Sequence, residues 1–119
     1  MAATTLDQQR AAHAWQCATQ RAGFEGYKEL AEGAPALLMG SGLMAALAYW
    51  QSRDKEHASA LVKDLLSWLA KRQMLPADFE QAMSAMTGTD ATQYMALTDE
   101  VLALLRWLRQ FVKAVEAAR

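Results

Sequence analysis

The chain has 119 residues, is 53% hydrophobic and carries a formal net charge of −1. That length supports one domain with an adequate core, and so balanced a charge excludes a whole-molecule field that would gather nucleic acid, leaving only a local patch to do so. There is no isoleucine, the only valines are Val62, Val101, Val112 and Val115, and Ala, Leu and Met dominate; strand formers are scarce and helix formers abundant. The expectation is an all-α fold, a compact single-domain bundle of about five to six helices spanning residues 1–119.

Thr5-Leu-Asp-Gln8 has the hydroxyl and amide spacing of a capping box and opens the first helix. That helix is expected to run to about Gly23 and to continue past Gly26 through Tyr27–Ala31, with Gly33 and Pro35 ending it. The stretch before it, MAATTLDQQR, lacks the positive-then-apolar pattern of a secretory leader. Cys17 is the only cysteine, so there is no internal disulfide and no thiolate cluster for a metal. Both features point to the cytoplasm.

Residues 33–52 carry no charge. A membrane span needs about 20 apolar residues and an unbroken hydrogen-bond ladder, and Pro35 and Gly40-Ser41-Gly42 interrupt one. The segment therefore reads as a short helical turn, a Gly-Ser-Gly joint with Ser41 as N-cap, and a helix from Leu43 to Gln51 that is apolar on almost every side and hence buried. No membrane contact is expected.

The next helix is the clearest. Ala58, Leu61, Val62, Leu65, Leu66 and Leu69 recur at the spacing of one apolar face, Lys55, Ser59, Lys63 and Ser67 occupy another, and Lys71 and Arg72 sit where the helix dipole favours cations. Met74-Leu75-Pro76 stops it, and Pro76 starts a short helix containing Phe79, Met83 and Met86. After a turn at Thr87–Asp90, with Asp90 and Gln93 as a second cap, a long helix reaches Ala118. Leu97, Val101, Leu104, Leu105, Leu108, Phe111, Val112 and Val115 form its inward face. Short connections imply roughly antiparallel neighbours.

Little here resembles catalytic machinery. His13 and His57 fall on different helices and read as ordinary helix residues. Asp99-Glu100 reads as a solvated pair. Cys17 has no cation placed to make a thiolate. No enzyme activity, cofactor, metal or small-molecule substrate is expected. Met44, Met83, Met86 and Met95 read as core filling. Four tryptophans are more than such a core encloses comfortably, so Trp15 and Trp107 are candidate protein-interface residues. Arg106, Arg109 and Lys113, spaced three and four apart, form one cationic stripe opposite the leucines with no acidic residue within its span. Such a ridge can displace counterions from a phosphate backbone. A weaker stripe of Arg10, Arg21 and Lys28 would form if the first helix were continuous.

Three blocks carry a resemblance: Gln9-Arg10-Ala-Ala-His-Ala-Trp15; Tyr27-Lys28-Glu-Leu with Ala34-Pro35-Ala-Leu-Leu, Ser41-Gly42-Leu43 and Ala46-Leu47-Ala48-Tyr49; and Tyr94 leading to Thr98-Asp-Glu100 and Leu102-Ala-Leu-Leu-Arg106-Trp107-Leu108-Arg109-Gln-Phe111. In these the chain resembles the small all-helical subunit family of type III-B CRISPR (Cmr) RNA-silencing complexes. The resemblance implies a non-catalytic subunit of an antiviral effector that stacks with copies of itself beside the backbone subunits holding the guide RNA. Target RNA would lie between the two filaments, where base pairing supplies the sequence information and the protein reads backbone and shape. On this resemblance the RNA-contacting cations are Lys28, Arg53, Arg106, Arg109 and Lys113. The pattern departs at Gln110, where a second basic residue often follows the first. The competing expectation is a scaffold or adaptor that binds protein through its Trp and Met surface and never touches RNA.

Overall fold

The computed structural model describes residues 3–119; Met1 and Ala2, the first residues of the stretch read as lacking a leader, lie outside the described residues. Among the described residues six helices account for the fold: α1 (Leu6–Gln20), α2 (Tyr27–Ser41), α3 (Leu43–Ser52), α4 (Glu56–Lys71), α5 (Phe79–Thr87) and α6 (Ala91–Ala118). No strand occurs among the described residues, and no helix among them is long and apolar enough to cross a membrane.

Local chemistry sets the starts of α1 and α6. The Thr5 hydroxyl accepts the Gln8 amide at 3.0 Å while the Gln8 side chain accepts the Thr5 amide at 2.7 Å, starting α1. Asp90 and Gln93 repeat the exchange at the start of α6. Each box satisfies two amides that a helix start leaves unpaired. Helix α6 then lays Leu97, Val101, Leu104, Leu105, Leu108, Val112 and Val115 into the core, and its main partner is α1. Helix α4, almost wholly buried along Ala58–Leu69, joins α2, α3 and α6. Asp78, rather than Pro76, caps α5, accepting the Gln81 amide at 3.0 Å.

The middle of the chain departs from expectation. Helix α1 ends at Gln20, and a separate α2 begins at Tyr27 and runs through Gly33, Pro35 and Gly40 without a break. An interior proline costs about 3 kcal/mol relative to alanine. Here Tyr27, Ala31, Ala34 and Leu38 are buried along one side of α2, packed against α6, α4 and α3. Tertiary packing overrides propensity. Ser41 is therefore the last residue of α2 and not a cap. The joint is Gly42 alone, at φ 89°, a left-handed conformation open to glycine.

Helix α3 is also less enclosed than its composition implies. Leu43, Ala46, Leu47 and Trp50 are buried, but Tyr49 is 51% exposed on the other side. Of the methionines read as core, Met86 is buried, Met44 and Met83 are half-buried, and Met95 is 64% exposed on α6.

Candidate nucleic-acid interface

The cations of this protein fall into two groups, and buried carboxylates decide which. Asp64, on α4 between Ala60 and Trp68, points into the bundle. It accepts two hydrogen bonds from Arg21, at 2.7 and 3.0 Å, and one from the Tyr27 hydroxyl at 2.6 Å. Glu100, expected to be solvated, is also buried. It accepts two bonds from Arg10, at 2.6 and 3.1 Å, and one from the Trp68 indole at 3.1 Å, with Arg72 at 3.7 Å. A carboxylate has room for several donors, and paired forks of this kind are the strong charge-assisted sort. The hydrogen bonds from Arg10, against the opposing effect of burial, hold Glu100 below its ordinary carboxyl range. Arg10 and Arg21 are thus committed to the interior. The supposed stripe of Arg10, Arg21 and Lys28 does not form, because the helix expected to carry it ends before Arg21.

His13 belongs to the same seam. Its Nδ1 lies 3.0 Å from the Lys71 ammonium, which can only donate, so Nδ1 accepts. The ring is therefore neutral with its proton on Nε2, donated toward the Asp64 carbonyl at 3.1 Å. Burial, aided by the Lys71 charge, pushes His13 below the usual histidine value. Burial likewise pushes the Cys17 thiol up to about 12, far from a thiolate nucleophile. Among the described residues no group of His, Cys, Asp and Glu is arranged to hold a metal ion.

The expected RNA-contacting cations divide unevenly. Arg106, Arg109 and Lys113 share one side of α6, as their spacing requires. Arg106 is 73% exposed, yet Asp7 of α1 comes within 3.9 Å of it, so the stripe free of acids along the helix has an acid beside it in space. Arg109 is half-buried, and its Nε is enclosed without a hydrogen-bond partner. Lys113 is exposed and has no ion pair among the described residues. Lys28, on α2, reaches α6 but finds Glu116 at 3.4 Å and its own Glu32 at 3.4 Å. Hydrogen bonding to Glu116 and then Glu32 raises its pKa. Arg53 caps α3 and covers the Tyr49 ring at 5.7 Å, apart from the α6 stripe.

The two tryptophans singled out as interface residues do come together, through Phe111. Trp15, 48% exposed, meets Phe111 edge-on at 5.3 Å between centroids, and Trp107 stacks on Phe111 at 5.5 Å. The Trp107 indole donates to Asp7 at 3.1 Å, which is the main reason the Asp7 carboxyl lies below its ordinary value. An aromatic ladder therefore runs across the seam of α1 and α6, next to Arg106. Trp50 and Trp68 are buried in the core.

Sequence reasoning missed Asp64, Glu100 and the role of His13. A signal was present: Glu100 follows Leu97 by three residues and precedes Leu104 by four, placing it on the apolar stripe. Asp64 sits four residues from both Ala60 and Trp68 in the same way.

A family model described as CRISPR-associated protein (Cas_Cmr5) matches residues 6–115, from the first residue of α1 almost to the end of α6. The chain belongs to the Cmr5 family. Within that family, a protein of Thermus thermophilus described as CRISPR system Cmr subunit Cmr5 is 36% identical over 89 residues, covering 75% of this chain and 74% of that one. A crystal structure of a CRISPR-associated Cmr5 family protein, also from Thermus thermophilus, superposes with a TM-score of 0.82 at 33% identity, over 95% of this chain and 98% of that one. The six-helix arrangement is therefore shared with a Cmr5 relative across nearly its whole length.

Proposed function

We propose that this chain is a small, non-catalytic subunit of a type III-B Cmr RNA-silencing complex, working in the cytoplasm in antiviral defence. In that role it stacks with copies of itself beside the backbone subunits and touches the RNA sugar-phosphate backbone. Membership of the Cmr5 family over residues 6–115 carries this reading. The outer side of α6 supports the RNA contact, since Arg106 and Lys113 project there without a close carboxylate partner of the kind that occupies Arg10 and Arg21. Base pairing between guide and target would supply the sequence information, so weak phosphate contacts suffice.

The test is target RNA binding by the reconstituted complex over a salt titration. Replacing Arg106, Arg109 and Lys113 by glutamate weakens binding and lowers the salt slope by about 2, three single-strand phosphate contacts at ~0.7 each. Because Arg109 is partly enclosed, the pair Arg106→Glu and Lys113→Glu gives the same direction with the fold unperturbed. Unchanged affinity and slope in a complex of normal composition would remove RNA from the proposal.

The ladder of Trp15, Phe111 and Trp107 favours a second reading, a scaffold that binds protein alone. Exposed aromatics of this type anchor interfaces. Under it, Trp15→Ala blocks assembly while the α6 charge reversals leave RNA binding intact.

A further inference from the structure

A cleft of about 480 Å³ opens between α1 and the C-terminal end of α4. Lys71, Arg72, His13, Gln9, Gln16 and Gln73 line it, and no acidic residue does. In this it differs from three other surface cavities, which include Glu25, Glu29 and Glu116, or Asp54 and Glu56, or Glu25 and Glu56. Of these four, among the described residues, this cleft alone offers donors and positive charge without a carboxylate on its wall to repel an anion.

Its cations are also only partly engaged. Lys71 has no carboxylate within ion-pair distance among the described residues, and its one side-chain contact is donation to His13 Nδ1 at 3.0 Å. That leaves further N–H groups of the ammonium free. Among the described residues Arg72 makes no side-chain hydrogen bond. It approaches Glu100 at 3.7 Å, but that carboxylate is already occupied by Arg10 and Trp68, and the Arg72 Nε is enclosed without a partner. Gln73 stands at the rim with φ 58°, a left-handed conformation uncommon outside glycine, at the turn that ends α4. An anion with several oxygens would meet the Lys71 ammonium and the terminal guanidinium nitrogens of Arg72 together, and a guanidinium suits phosphate geometry.

We propose that this cleft is a phosphate-binding site, in which Lys71 and Arg72 meet the charge and Gln9, Gln16 and Gln73 fix the remaining oxygens. The phosphate comes from an RNA strand or from a free phosphate compound; the choice of RNA, and only that choice, rests on the function proposed above. The site is separate from the α6 stripe, none of whose residues lines it.

Two measurements test it. In the free chain, inorganic phosphate is titrated at constant ionic strength while NMR follows the His13 ring and the side-chain amides of Gln9, Gln16 and Gln73. These signals shift saturably, and in Lys71→Gln/Arg72→Gln they do not. Lys71→Gln alone, at an exposed position, weakens the response and guards against a folding defect. In the reconstituted complex, the double variant then weakens binding of a single-stranded target RNA about tenfold, as loss of charged hydrogen bonds requires. Signals that stay still in the folded wild-type chain overturn the site, and the RNA function survives if the α6 reversals still weaken binding. Saturable shifts with RNA affinity unchanged in the double variant confirm the site and assign it to free phosphate. Saturable shifts in a chain whose complex binds no RNA confirm the site and sink the RNA function instead.

Discussion

The seam between α1, α4 and α6 and the outer side of α6 use the same residue types to opposite ends. In the seam, Arg10 and Arg21 each give two hydrogen bonds to a buried carboxylate, with distances down to 2.6 and 2.7 Å. On the outside, among the described residues, Arg106 has a single approach of 3.9 Å to Asp7, and Lys113 has none. Exposed pairs of that length contribute about 0–1 kcal/mol, whereas breaking a buried pair is far more damaging because a desolvated charge is left behind. Arg10 and Arg21 are thus structural because a buried carboxylate on another helix accepts their hydrogen bonds, which their own neighbours in the sequence do not reveal.

That contrast breaks first at Glu100. Replacing it with alanine leaves Arg10 and the Trp68 indole without their acceptor and Arg72 without its ion-pair partner, and about 3 kcal/mol of stability should be lost, as for a buried pair deprived of one partner. Urea denaturation checks this, and a loss below about 1 kcal/mol would show the seam to be no stronger than the surface.

Acidification is the next test, and both titrating groups act in one direction. His13 has its folded pKa below the ordinary 6.5, so its contribution is complete above that value and is lost as pH falls toward the folded value. Glu100 is depressed below 4.5, so its contribution holds above that and fades as pH falls through its folded pKa. Thermal melting should therefore decline in two stages, beginning below about pH 6.5 and steepening below about pH 4.5. His13→Gln should remove the upper stage and leave the lower.

The smallest effect belongs to the outer face. Arg106→Gln and Lys113→Gln should each change stability by no more than about 0.5 kcal/mol. A larger loss in denaturation would mean that the outer cations are structural too, and the distinction between the two regions would collapse.

Much of the fold was legible because it is written locally. The boxes at Thr5/Gln8 and Asp90/Gln93 are fixed by side chains three residues apart, and the faces of α4 and α6 by helical spacing. The errors fall where distant partners decide. Pro35 and Gly40 argue against a helix until the buried face of Tyr27, Ala31, Ala34 and Leu38 is set against α6 and α4. Glu100 reads as solvated until Arg10 arrives from 90 positions away. The candidate site suffered the same way: the α6 stripe was visible from spacing, but the neutralisation of Lys28 by Glu116 and the cleft at Lys71 and Arg72 require helices far apart in sequence to be brought together.

Helix α3 has no side-chain cap of its own, and its Met44 amide donates instead to the Tyr94 hydroxyl at 2.9 Å. The group that completes its first turn is thus made 50 residues later in synthesis. Arg10 waits for Glu100 over a still longer interval. A ribosome that has released only α1 through α5 has delivered helices lacking both acceptors, so this bundle closes only once α6 has emerged and met α1 and α3.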